Sequence, residues 1–210
     1  MISTVIRRRL IPLVLARGLS IGLAACGSSS TSSTPSNTSS SSASSLAAHN
    51  AADVAFAKDM VPHHRQAIAM AALASGRASS PAVKSLAQQI QHAQGPEITT
   101  MTGWLSSWGQ QAGTSGTGSM SGMGDSSMPG MMTGSDMDRL AALKGAAFDR
   151  EFLTMMTAHH RGAIEMAKTE QAAGQYGPTK QLAAGIEKAQ TREVAVMAGL
   201  YASVGGGGRL

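Results

Sequence analysis

The chain has 210 residues, 42% of them hydrophobic, enough for one domain or two small ones with a real core. Aromatics make up only 3%, too few for a stacking surface along single-stranded nucleic acid. The net charge of +5 is concentrated at the start, in Arg7, Arg8, Arg9 and Arg17; beyond these, 13 cations face 12 acids, which excludes the basic footprint of a nucleic-acid partner. A single cysteine, Cys26, excludes an internal disulfide framework and a multi-Cys zinc site.

Residues 1–25 combine a cationic start with an apolar stretch, interrupted by Arg17, and small residues at its end. That is the grammar of a signal peptide, and it is too short for a membrane span. Leu23-Ala24-Ala25-Cys26 resembles the lipobox of bacterial lipoproteins, which implies lipidation of Cys26. The alternative is an ordinary cleaved signal with an incidental cysteine. A lipidated Cys26 would hold the protein on a membrane surface without spanning it, outside the cytoplasm. Residues 26–48 are dominated by Ser, Thr and other small residues, with little to bury, and are expected to be a disordered tether.

Two helical repeats follow, at 49–108 and 139–204, separated by a Met/Gly/Ser-rich loop at 109–138 and followed by a tail at 205–210. The stretch from Asp53 to Ala71 matches the stretch from Asp149 to Ala167, 96 residues later, at ten of 19 positions. The same offset pairs Leu86, Ile90, Glu97 and Met101 with Leu182, Ile186, Glu193 and Met197. Gly and Pro divide each repeat into two helices, predicted near 50–75, 81–107, 139–173 and 178–204. Neither pair can cover its own apolar face, so the expected architecture is all-α, a four-helix bundle built from two repeated helix pairs with a pseudo-two-fold axis. Pro96 is expected to kink or break the second helix, which makes the position of Glu97 less secure than that of Glu193.

The pattern D-x-x-F-x-x-x-M-x-x-H-H-x-x-A-x-x-M-A occurs in both halves, and the first half adds E-x-x-x-M-x-x-W. Over residues 50–204 the chain thereby resembles the domain of unknown function 305 family. The resemblance implies a ferritin-like helical fold and a secreted or lipid-anchored protein. For some members it also implies copper binding.

Helical geometry puts Phe56, Met60, His63, His64, Ala67 and Met70 on one face, and Phe152, Met156, His159, His160, Ala163 and Met166 on its counterpart. Meeting across the bundle, these faces are expected to gather four imidazoles and four thioethers in one interior. Glu97 and Met101, with Glu193 and Met197, share apolar stripes on the partner helices, and a carboxylate there needs a companion: a His pair, or Arg65 and Arg161. The candidate metal ligands are therefore Met60, His63, His64, Met70, Glu97, Met101, Met156, His159, His160, Met166, Glu193 and Met197. Against this stands a plainer reading, in which the methionines are packing and the histidines form a buried polar network with Glu97 and Glu193.

Thioether and imidazole donors together favour copper, Cu(I) especially, over oxygen-seeking Mg²⁺ or Ca²⁺. A second candidate set, Met120, Met123, Met128, Met131 and Met132, with Met137 close by, falls in the low-complexity loop. Methionines there are expected to have nothing to pack against and could wrap Cu(I). Catalysis is less well supported. Di-iron sites use Glu-x-x-His motifs, but Met60, Val61, Met156 and Thr157 occupy the positions three before the histidines. The chain also lacks His-Glu-x-x-His, a P-loop and a G-x-G-x-x-G after a strand. The expectation is a non-enzymatic, lipid-anchored copper-binding protein that buffers or traffics metal. Its expected partners are the ion, the membrane, a metal-exchange protein and a second copy of the chain. The alternatives are a metal-free helical interaction module and, more remotely, a ferritin-like oxidase.

Overall fold

The computed structural model describes residues 48–112 and 128–205 and, over these, is all-helical. The helices are α1 (Ala51–Arg77), α2 (Pro81–Ser107), α3 (Gly134–Ala142), α4 (Gly145–Ala173) and α5 (Gly177–Gly205). Cys26 and residues 1–25, together with Met120 and Met123, lie outside the described residues. No helix among the described residues is long and apolar enough to cross a membrane.

Local chemistry sets the helix starts. The Asn50 side chain caps the amides of Ala52 and Asp53, and Asp53 returns a bond to the Asn50 amide, closing a capping box. Ser80 caps α2, with Pro81 at its first position. Thr133 and Asp136 form a second capping box at α3. This turn of sequence was expected to be loop, and the helix predicted over 139–173 is in fact two. Leu140 is buried in the core, Gly145 takes a left-handed φ of +63° and the chain turns there into α4.

α1 packs against α2 and α4 against α5, and the two hairpins meet chiefly through α1 and α4. Two apolar cores result. One joins the C-terminal half of α1 to the N-terminal half of α4, from Ala67, Met70 and Ala74 across to Phe148, Phe152 and Met156, with Leu86, Ile90 and Met197 from the flanking helices. The other joins the N-terminal half of α1, with Phe56, Met60 and Val61, to Ala163 and Ala167 of α4, with Met101 and Ile186. α1 and α4 therefore run antiparallel, and residues 63–64 and 159–160 fall between the two cores as a polar waist.

Two buried aspartates cross-link the halves. Asp53 on α1 accepts from the amides of Gln175 (3.1 Å) and Tyr176 (2.9 Å) and from the Thr179 hydroxyl (2.5 Å), at the entry to α5. Asp149 on α4, 96 residues later, accepts from the amides of Ser79 (3.1 Å) and Ser80 (2.9 Å) and from the Ser79 hydroxyl, at the entry to α2. Each repeat thus organises the helix start of the other, so neither hairpin carries its own complete set of caps.

Pro96 does not break α2, which runs without interruption to Ser107. Pro96 is exposed, so the carbonyl it leaves unpaired can turn to water, and Gly95 before it has no Cβ to clash with the ring. A second internal proline, Pro62, is carried within α1 directly before the histidine pair.

Candidate metal centre

His63 and His159, facing each other from α1 and α4, lie with ring centroids 3.7 Å apart and planes tilted by 38°. Both are buried, as are His64 and His160. The second histidine of each pair turns outward to its partner helix: His64 Nε2 meets Glu97 Oε2 at 2.7 Å, and His160 Nε2 meets Glu193 Oε2 at 2.7 Å. The two bonds are equal although only one helix carries a proline, so Glu97 is held as well as Glu193. His63 Nε2 is 3.1 Å from the carbonyl oxygen of Pro129.

These partners are all acceptors, so His63, His64 and His160 each donate from Nε2, which leaves the Nδ1 of each ring facing the interior. The three Nδ1 atoms are buried and have no hydrogen-bond partner, and neither do the two ring nitrogens of His159. An unpaired buried polar atom is costly, and five of the eleven such side-chain atoms among the described residues are nitrogens of these four imidazoles, which points to a missing partner there. Metal-binding histidines characteristically donate their second nitrogen to a carboxylate or backbone carbonyl, the pattern made here by Glu97, Glu193 and Pro129. Burial, with His64 and His160 adding to it against the Pro129 carbonyl, pulls the His63 pKa down to about 3. Burial, followed by the other three imidazoles, also holds His159 well below its ordinary value. Both rings are therefore neutral at neutral pH, the form that offers a lone pair to a metal.

The thioethers do not converge on one interior. Met60 and Met101 belong to the core below the waist, and Met70, Met156 and Met197 to the core above it. Antiparallel packing of α1 and α4 sends the residue one turn before each histidine pair to opposite sides of the imidazoles. Met60 and Met156 are the thioethers nearest the waist in sequence, while Met70 and Met166 lie two turns along their helices, about 10 Å of rise away. Met166 is half-buried against the lower core, and Met197 Sδ accepts from the Thr157 hydroxyl at 3.6 Å. Among the described residues no three or more His, Cys, Asp or Glu side chains lie close enough to hold one ion. The waist thus offers nitrogens in pairs with sulfur beyond. Cu(I), which accepts few and soft ligands, fits this donor set, whereas Ca²⁺ or Mg²⁺ would need more oxygens.

The described residues of the Met-rich segment from 128 onward pack against the waist and the upper core. Met128, Met131 and Met132 are partly buried, and Met132 and Met137 pack against the upper core, contrary to the expectation of a loop with nothing to pack against. The segment finds a seat because Gly162 leaves room for the Pro129 carbonyl.

Over the described residues this is a small all-helical protein in which a buried histidine pair from each half meets where α1 faces α4. Residues 53–201 match the model of the family described as Domain of unknown function (DUF305), and the chain belongs to that family. Its fold is similar to that of a DUF305 protein from Streptomyces coelicolor, named as a candidate secreted protein, at 36% identity and TM-score 0.65 over 73% of this chain and 92% of that one. A DUF305 fragment from Deinococcus radiodurans is similar at 28% identity and TM-score 0.64, over 73% and 97%. CopM in its Cu(II)-bound form is similar at 31% identity and TM-score 0.61, over 72% and 96%. CopM has also been solved in Cu(I)-bound and Ag-bound forms. No curated protein matches the chain.

Proposed function

We propose that this chain is a non-enzymatic, extracytoplasmic copper-binding protein with a ferritin-like four-helix bundle, held to the membrane through Cys26, that buffers copper or passes it on. The observation that carries the reading is the layer of buried imidazoles whose Nδ1 atoms have no partner, while Glu97, Glu193 and Pro129 already orient the Nε2 atoms of His64, His160 and His63. His63 and His159 would hold the ion as a pair, with the thioether of Met60 on one side or Met156 on the other as a further soft donor. Met128, Met131 and Met132 would capture it at the surface, together with Met120 and Met123. Support from outside the chain comes from CopM, solved with Cu(I), Cu(II) and silver on a similar fold. The export reading rests on the signal-like residues 1–25 and on the naming of the Streptomyces relative.

Anaerobic titration of the apo-protein with Cu(I) against a competing chelator tests this. The expected result is binding tighter than micromolar, with the tight component lost when His63, His64, His159 and His160 are all changed to Ala. Absence of such binding in the wild-type chain would remove the reading. A second reading is favoured by the two His–Glu bonds themselves: a polar network inside a metal-free interaction module. It predicts a melting temperature indifferent to copper and to chelator, whereas an ion that binds only the folded state must raise it.

A further inference from the structure

We propose that the segment Met128–Thr133 is a latch over the His63–His159 pair, and that its lifting governs entry to the waist. The inference rests on the copper reading and deepens it, since it names what controls access to that site.

Four contacts hold the latch, and each is specific. The Gln66 side chain pairs with the Met132 backbone in both directions, its amide nitrogen donating to the Met132 carbonyl and its oxygen accepting from the Met132 amide, each at 2.8 Å. The Pro129 carbonyl accepts from His63 Nε2. That carbonyl enters a notch on α4: a Cβ at Gly162 would lie 1.9 Å from Pro129 O and 2.3 Å from its carbonyl carbon. Gly130 has φ +78° and lies so close to α4 that a Cβ would meet the Ala158 carbonyl oxygen at 2.6 Å and His159 Cα at 3.0 Å.

Gln66 and Gly162 are 96 residues apart, the offset of the repeat, so they occupy equivalent places in the two halves. The duplication has diverged where one asymmetric strap must cross a near-symmetric pair of helices: one copy supplies a clamp, the other an empty notch. The histidines beneath diverge with them, since His63 is bonded to the strap while neither ring nitrogen of His159 has a hydrogen-bond partner. With the strap seated, neither ring is open to solvent, at 0% and 1% exposure. The strap is bonded to His63 Nε2 and packed on the backbone of His159, so in this proposal an ion or reagent reaches the pair when the strap lifts, and the strap that lifts carries Met128, Met131 and Met132.

The experiment uses the full-length apo-protein and diethyl pyrocarbonate, which carbethoxylates exposed imidazole nitrogens, with each histidine followed by mass spectrometry. Gln66→Ala removes the clamp and Gly162→Ala fills the notch; neither touches a donor atom. Gln66→Ala should speed modification of His63 and His159 about tenfold, the order expected for losing two hydrogen bonds, Gly162→Ala should speed it at least as much by unseating the Pro129 carbonyl, and both should leave His64 and His160 unchanged. Cu(I) loading, followed by stopped flow, should quicken by a similar factor. Unchanged modification rates in Gln66→Ala, which removes only a partly exposed side chain, would overturn the latch, as would a uniform rise at all four buried histidines. Quicker modification with unchanged copper loading would also overturn it, because the strap would not govern the ion's entry. A wild-type chain that takes up no Cu(I) would defeat the copper reading, while the reagent would still decide whether the strap covers the pair.

Discussion

Asp149 is worth more than its one charge suggests, because a single carboxylate satisfies two amides and a hydroxyl at the start of a helix in the other repeat. Asp149→Ala should cost about 3 kcal/mol in urea unfolding, as buried donors lose their acceptor. A loss below about 0.5 kcal/mol would show that water replaces it. Asp53 does the same work in the other direction, at the entry to α5. Burial works to raise its pKa, but the bonds from Thr179, Asn50, Glu170 and Tyr176 win and hold it at about 2. Its stabilisation therefore stands above the ordinary 3.8 and drains as pH falls towards 2. Glu170 has the opposite sign: burial, with the nearby Asp53 charge, lifts it from 4.5 to about 7 against the pull of Thr179 and Lys180. The folded state keeps a proton that the unfolded chain has released, so the contribution of Glu170 is full below pH 4.5 and is lost as pH rises through 7. Glu170→Gln should raise the urea midpoint at pH 8 and leave it unchanged at pH 4. A lower midpoint at pH 8 would contradict the assignment.

Among the helices, α2 shows where reading from sequence went astray. The rule that an internal proline breaks a helix assumes a clash with the preceding residue and a buried orphan carbonyl, and the Gly95-Pro96 pair on an exposed face avoids both. Some cost should remain, since Pro96 still withholds one helical hydrogen bond. Pro96→Ala should stabilise the chain by about 2 kcal/mol and preserve the His64–Glu97 bond. A decrease in thermal midpoint would mean that the proline is needed for the geometry of Glu97. Helix α3 was readable but unread: Thr133-x-x-Asp136 is a capping-box signature, hidden by the Gly, Ser and Met composition around it. The strap at 128–133 was not readable at all. Its docking depends on a notch at Gly162 and a clamp at Gln66 that mean nothing until α1 and α4 lie side by side.

At the scale of the whole molecule, the duplicated pattern carried most of the architecture. A 96-residue offset that repeats Asp, Phe, Met, His and His leaves few arrangements other than two hairpins joined face to face, and it anticipated the His–Glu pairs as companions. It did not reveal the direction in which α1 and α4 cross, and that direction decides that sulfur is divided between two cores while nitrogen meets at the waist. Nor did it distinguish Asp53 and Asp149 as cross-repeat caps, since their acceptor roles depend on the turns they reach, 122 and 70 residues away. In the proposed function, imidazole nitrogen at this waist holds the ion. The most direct measurement is the copper K-edge absorption spectrum of anaerobic protein loaded with one equivalent of Cu(I). It should show imidazole scattering together with sulfur, with the imidazole features lost when all four waist histidines become alanine. A shell of sulfur alone in the wild-type chain, or imidazole scattering that survives those substitutions, would contradict it.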